Sequence, residues 1–113
     1  MRASMPLTVV FFKTNSGSEP VRNWLREDLT SAQRAIIGKD LKVVQLMWPV
    51  GMPLVRPMGD GLWELRSVLE DTIARILFTF HQNQIVLLTG FIKMTGKTPQ
   101  NQLALAKQRK AAF

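Results

Sequence analysis

The hydrophobic pattern of the chain alternates between a period of two and a period of 3.6, and the changes mark its elements. "LTVVFFK" is an apolar, β-branched run that ends in the turn cluster "TNSGS", which predicts a first strand. Ser18 is then a candidate helix cap, with Glu19 and Pro20 in the first turn and Val21, Trp24 and Leu25 on one face. A second helix is predicted from Thr30 or Ser31. Ile37, Leu41, Val44 and Trp48 fall at i, i+4, i+7 and i+11 of it, an apolar stripe for a core, and Pro49 ends it.

The segment "PVGMPLVRPMGDG", Pro49 to Gly61, carries three prolines and three glycines, which predicts a long irregular connection. Alternation resumes in "LWELRSV", with Trp63 and Leu65 on one face and Glu64 and Arg66 on the other. "TIARILFTFH" continues it: Ala74, Ile76, Phe78 and Phe80 share one face, and Ile73, Arg75, Leu77, Thr79 and His81 the other. "HQNQ" reads as a tight turn into a further strand, "IVLLTGFIK". The last segment, "TPQNQLALAKQRKAAF", predicts a helix with Thr98 as N-cap and Pro99 at its first position. Leu103 and Ala106 face inward there, with the stem of Lys110 a further inward candidate, while Lys107 and Arg109 stay in water. The order β-α-α-β-β-β-α predicts a single α+β domain over residues 1–113, a small antiparallel meander with the helices packed on one face.

Composition narrows the function classes. A chain of 113 residues fits one domain and buries roughly two-thirds of its unfolded surface, enough for a core without staples. The absence of cysteine excludes disulfides, thiolate metal sites and a Cys nucleophile, and fits a reducing cytoplasm. No apolar run approaches the ~18 residues of a membrane span, so no membrane role is expected. Lys and Arg total 15 against 8 acids, a net charge of +7. Such a balance suits a polyanionic or acidic partner, nucleic acid first; solubility alone is the plainer reading.

Four cations converge if the strands pair as expected. A hairpin that turns symmetrically about Glu70 and Asp71 sets Arg66 and Arg75 directly opposite, about 5 Å apart at Cβ. Like charges so placed destabilise a sheet unless an anion sits between them; pairing of Arg66 with Glu64, Glu70 or Asp71 is the structural alternative. Lys93 ends the next strand. A three-residue loop at 81–84 sets it on the face of Arg75, and a two-residue loop sets it on the other. Lys93 and Lys97 stand four apart in "GFIKMTGKTP" with no acid nearby, before a helix start whose N–H groups add to anion binding. Simple solvation of loop lysines is the competing reading. His81 is the only histidine, at a hairpin end, outside any zinc-ligand spacing. The chain carries no nucleophile elbow, Walker A or dinucleotide fingerprint, and its carboxylates are scattered. No metal and no cofactor are expected.

"GDGLWELR", "ARILF", "IVLLTGFIKMTGKTP" and "ALAKQRK", in this order and spacing, together resemble the phage-derived HigB-like toxins of the RelE/ParE superfamily. The likeness runs from Trp24 to the C-terminus and is strongest from Gly59 to Lys110. It implies a RelE-like fold and a cytoplasmic toxin of a type II toxin–antitoxin pair. Such a toxin is a ribosome-dependent endoribonuclease, and its partner an antitoxin with a helix-turn-helix domain. The superfamily reaction is metal-free attack of a ribose 2′-OH on the adjacent phosphate of messenger RNA. That chemistry needs a base, cations for the crowded phosphorane and an acid for the leaving 5′-oxygen.

Carried over by the resemblance, Arg66 and Arg75 match the strand cations that stabilise phosphate charge. Neither serves as base, because guanidinium keeps its proton. Lys93 or Lys97 is the candidate acid, or the base where neighbouring cations favour the neutral amine, and His81 is a third candidate. Lys107, Arg109 and Lys110 in "ALAKQRK" are the expected RNA contacts. Relatives use a C-terminal tyrosine to stack or position the nucleotide, and this chain has no tyrosine. Trp63 and Phe91 are stacking candidates that core packing explains at least as well. The competing class is a non-catalytic toxin or binding module of the same fold that inhibits a protein target such as gyrase. A DNA-binding accessory protein and an inactive phage remnant are further readings.

Overall fold

The computed structural model describes residues 7–93 and 97–113. Its elements are β1 (Thr8–Phe11), α1 (Pro20–Glu27), α2 (Ser31–Met47), β2 (Val55–Gly59), β3 (Leu62–Val68), β4 (Ile73–His81), β5 (Gln84–Lys93) and α3 (Gln100–Ala112). They build one five-stranded sheet in the order β1-β5-β4-β3-β2, with β1 parallel to β5 and every other pair antiparallel. The α+β class and the β3-β4-β5 meander agree with the sequence reading. No helix among the described residues is long and apolar enough to cross a membrane.

Two features differ from expectation. The segment read as irregular contains β2, in which Val55 pairs with Leu65, Arg56 with Glu64 and Pro57 with Trp63. Proline is tolerated because β2 is the sheet's edge strand, where one side of the backbone has no ladder to feed. A register slip between Pro57 and Gly59 precedes three left-handed residues, Gly59, Asp60 and Gly61, which turn the chain into β3.

The second difference concerns the helices, which cover both faces rather than one. Val21 of α1 and Ile37, Leu41 and Val44 of α2 pack with Leu65, Ile76, Phe78 and Leu87. Ala106 and Leu103 of α3 pack on the opposite face, with Leu62, Leu77, Val86 and Leu88. The reason lies in the central strands. "ILF" and "IVLL" are apolar at successive positions, so β4 and β5 present hydrophobic side chains both ways and need a cover on each side.

Local signals set the helix boundaries. Thr30 and Gln33 form a reciprocal capping box on α2: the Gln33 N–H donates to Thr30 Oγ1 (3.1 Å) and the Thr30 N–H to Gln33 Oε1 (2.9 Å). The α1 cap is Glu19 rather than Ser18, whose hydroxyl instead accepts from Asn23 Nδ2 (3.2 Å). Pro99, not Thr98, is the cap of α3. Trp48 closes the expected α2 stripe by stacking on Phe80 (5.8 Å) and meeting Trp63 edge-on (5.2 Å).

Candidate functional site: an arginine pair on a buried glutamate

The β3–β4 hairpin sets the register of the site. Val68 pairs with Ile73, the Leu69 N–H donates to the Thr72 carbonyl (2.9 Å), and Arg66 stands directly opposite Arg75. Strand alternation puts Glu64 on the same face as Arg66, and this carboxylate receives both guanidiniums. Arg66 Nε lies 3.7 Å from Glu64 Oε1, and Arg75 Nη1 lies 3.5 Å from Glu64 Oε2. The Thr98 hydroxyl donates to Glu64 Oε2 as well, which explains why Thr98 does not cap α3.

Burial divides the roles. Glu64 is fully buried and Arg75 is 2% exposed, whereas the Arg66 side chain keeps 22% of its surface in solvent. Charges in such a place persist only when paired, so the like-charge pair is held together by an internal carboxylate. One carboxylate against two guanidiniums leaves a net positive charge, and Arg66 is the group through which it reaches the surface. Glu64 Oε1 and Arg66 Nε are both buried with no hydrogen-bond partner among the described residues, and meet only at ion-pair range.

The remaining candidates are dispersed. Lys97 is exposed and directly precedes Thr98. Lys93 is the register partner of Ile73, two positions from Arg75. The 81–84 hairpin has the two-residue loop Gln82-Asn83, both left-handed, which alone sets Lys93 off the face of Arg75. A bulge where Leu77 pairs with Thr89 and Phe78 with Leu87 restores the parity. The side chain of Lys93 and residues 94–96 lie outside the described residues. His81 is not brought to the arginines. It lies six residues along β4 from Arg75, roughly 20 Å at strand spacing, with its ring edge-on to Phe113 (5.6 Å).

Along α3, Lys107 is exposed as expected, Lys110, whose stem was an inward candidate, is exposed too, and Arg109, expected in water, is half-buried. Lys107 Nζ meets the exposed Asp60 carboxylate at 3.1 Å, and the Lys110 stem lies over Gly61, where an added Cβ would meet its Cε at 2.9 Å. Arg109 donates from Nη1 to the Leu88 carbonyl (2.7 Å) and covers the Phe12 ring at 5.7 Å, so it clamps α3 to β5. Burial lowers its pKa from the ordinary arginine value. Of the two stacking candidates, Trp63 packs in the core on the α1/α2 side, away from the arginines, while Phe91 is the register partner of Arg75.

Sequence reasoning missed one cation. Arg56 is exposed and pairs in register with Glu64, so the edge strand sets a third arginine across from it in the sheet. Its signal was the single "VR" alternation inside a Pro- and Gly-rich segment.

The five-stranded mixed sheet and three helices make a small α+β protein whose fold is compatible with a RelE-like one. Within that class, the family model described as phage derived protein Gp49-like (DUF891) matches residues 23–111. The chain belongs to this Gp49-like family of phage-derived proteins, a RelE/toxin-like family. No curated protein gives a significant match to the chain.

Proposed function

We propose that this Gp49-like protein is the toxin of a type II toxin–antitoxin pair, HigB-like within the RelE/ParE superfamily, and that it cuts messenger RNA on the ribosome. The observation that carries the reading is the register of Arg66 on Arg75 over Glu64, which concentrates positive charge at the one guanidinium of the pair that reaches solvent. Family membership and the net charge of +7 support it.

In the proposed reaction the ribose 2′-oxygen attacks its own 3′-phosphate, the P–O5′ bond breaks, and the 5′ fragment keeps a 2′,3′-cyclic phosphate. The 2′-OH proton passes to a base and the departing 5′-oxygen takes a proton from an acid. Arg66 binds the phosphorane oxygens. Arg75 and Glu64 are positioning residues that hold Arg66 in place. Lys97 and Lys93 are the proton-transfer candidates, and His81 drops behind them on distance. Lys107, Lys110 and Arg56 are the expected contacts to flanking phosphates. The protein acts in the cytoplasm, and its partner there is a helix-turn-helix antitoxin. Inducible expression of the chain alone is the test. Growth arrest with ribosome-dependent messenger cleavage, relieved by Arg66→Ala, is expected; normal translation in cells that accumulate the folded chain would defeat the proposal.

A non-catalytic toxin that inhibits a protein such as gyrase is the second reading. The burial of Arg75 and Glu64 favours it, because it leaves one guanidinium of the pair exposed. Purified chain that blocks DNA supercoiling while leaving RNA whole would select it.

A further inference from the structure

Helix α2 is apolar on two sides. Ile37, Leu41 and Val44 are buried against the sheet, yet Ile36, Val43, Leu46 and Met47 are exposed, with Leu46 at 55% and Met47 at 66%. Ile36, Lys39, Val43 and Leu46 stand at i, i+3, i+7 and i+10, the spacing of one helical face directed away from the core. A groove of about 420 Å³ continues this face toward the start of β2, lined by Ile36, Lys39, Asp40, Pro53, Leu54, Arg66 and Val68. The stripe therefore runs into the side chain that carries the proposed chemistry. A contiguous apolar surface of this kind marks an interaction site.

Charge selects the occupant. Lys39 and Lys42 on α2 and Arg66 in the groove outnumber Asp40, the acid beside them. A second copy seated by two-fold symmetry sets this cationic stripe against its own equivalent in a molecule of net charge +7, which is unfavourable. A partner helix with acidic residues beside its apolar ones is complementary in both respects.

We propose that the outer face of α2, from Ile36 to Met47, docks an acidic amphipathic helix of a partner protein, and that the docked helix closes the groove over Arg66. The docking half stands on the stripe itself; the effect on cleavage rests on the nuclease reading above.

The probe is a synthetic helix-forming peptide of about 18 residues, with leucines on one face flanked by glutamates. A version with lysine for glutamate and a scrambled version are the controls. Titration into the isotope-labelled full chain is expected to shift amide resonances over residues 36–47 and around Arg66. Val43→Glu, at an exposed position that leaves the fold intact, is expected to weaken binding about tenfold or more. Lys39→Glu combined with Lys42→Glu is expected to weaken the glutamate peptide and strengthen the lysine peptide. Shifts confined to another surface, equal binding of the scrambled peptide, or indifference to Val43→Glu would overturn the proposal. So would a self-associated chain in sedimentation that Val43→Glu dissociates, since the stripe would then belong to a second copy. Peptide inhibition of RNA cleavage is read separately: docking without nuclease activity removes the nuclease reading and leaves the interface standing.

Discussion

Glu64 receives Arg66 on one oxygen and Arg75 and Thr98 on the other, from a fully buried position. Removing a partner from such a group is costly, because opposite charge is what permits burial. Glu64→Gln is expected to lower unfolding free energy by about 3–5 kcal/mol in urea denaturation, and a second change, Arg75→Met, to restore part of the loss. Arg66→Ala, at the partly open end, leaves Glu64 with Arg75 and Thr98 and is expected to cost about 1–3 kcal/mol, less than Glu64→Gln, and to act on activity as well. The arginine register was legible in the sequence, because the four residues between Val68 and Ile73, turning symmetrically about Glu70 and Asp71, leave one pairing. The division of labour was not. Alternation gave Glu64 and Arg66 the same face, but only three-dimensional packing made Arg75 internal and left Arg66 at the surface. Arg109 was read as wet for the same reason: helix periodicity did not reveal that Phe12 and the Leu88 carbonyl lie beneath it.

Strands and helices followed their sequence signals where the signals were long. The α2 stripe formed and the helix starts where expected, capped by Thr30; Thr30→Ala is expected to lower stability by about 1 kcal/mol, measured as a shift in the urea midpoint. Gly90 shows a constraint between elements. A Cβ there would meet the Trp24 ring at 2.5 Å, so α1 approaches β5 only over a bare backbone. Gly90→Ala is expected to cost about 1–3 kcal/mol and to lower the thermal midpoint accordingly. Two element-scale features left no signal in the sequence, each for its own reason. Strand β2 was hidden because an edge strand accepts proline and needs few apolar residues, and the β4–β5 bulge was hidden because an extra residue inside a continuous apolar run has no signature in letters. The placement of α3 on the second face was readable in principle from the uninterrupted "IVLL".

At the scale of the whole molecule, a charge of +7 is spread over α1 and α2, an edge strand, a buried cluster, the loop before α3 and the exposed side of α3. RNA binding through about four of these cations is expected to give a log–log salt slope near −3, measured by titration at several salt concentrations; a flat response would indicate a protein target. The central claim is that Arg66, held by Glu64 and Arg75, supports phosphoryl chemistry. The most direct measurement is the cleavage rate of messenger RNA on purified ribosomes, with end-group analysis of the fragments, for the wild-type chain and Arg66→Ala at matched thermal stability. The account predicts 2′,3′-cyclic phosphate ends and a loss of about 100-fold or more in the variant. Intact messenger with the wild-type chain, or an unchanged rate in the variant, would contradict it.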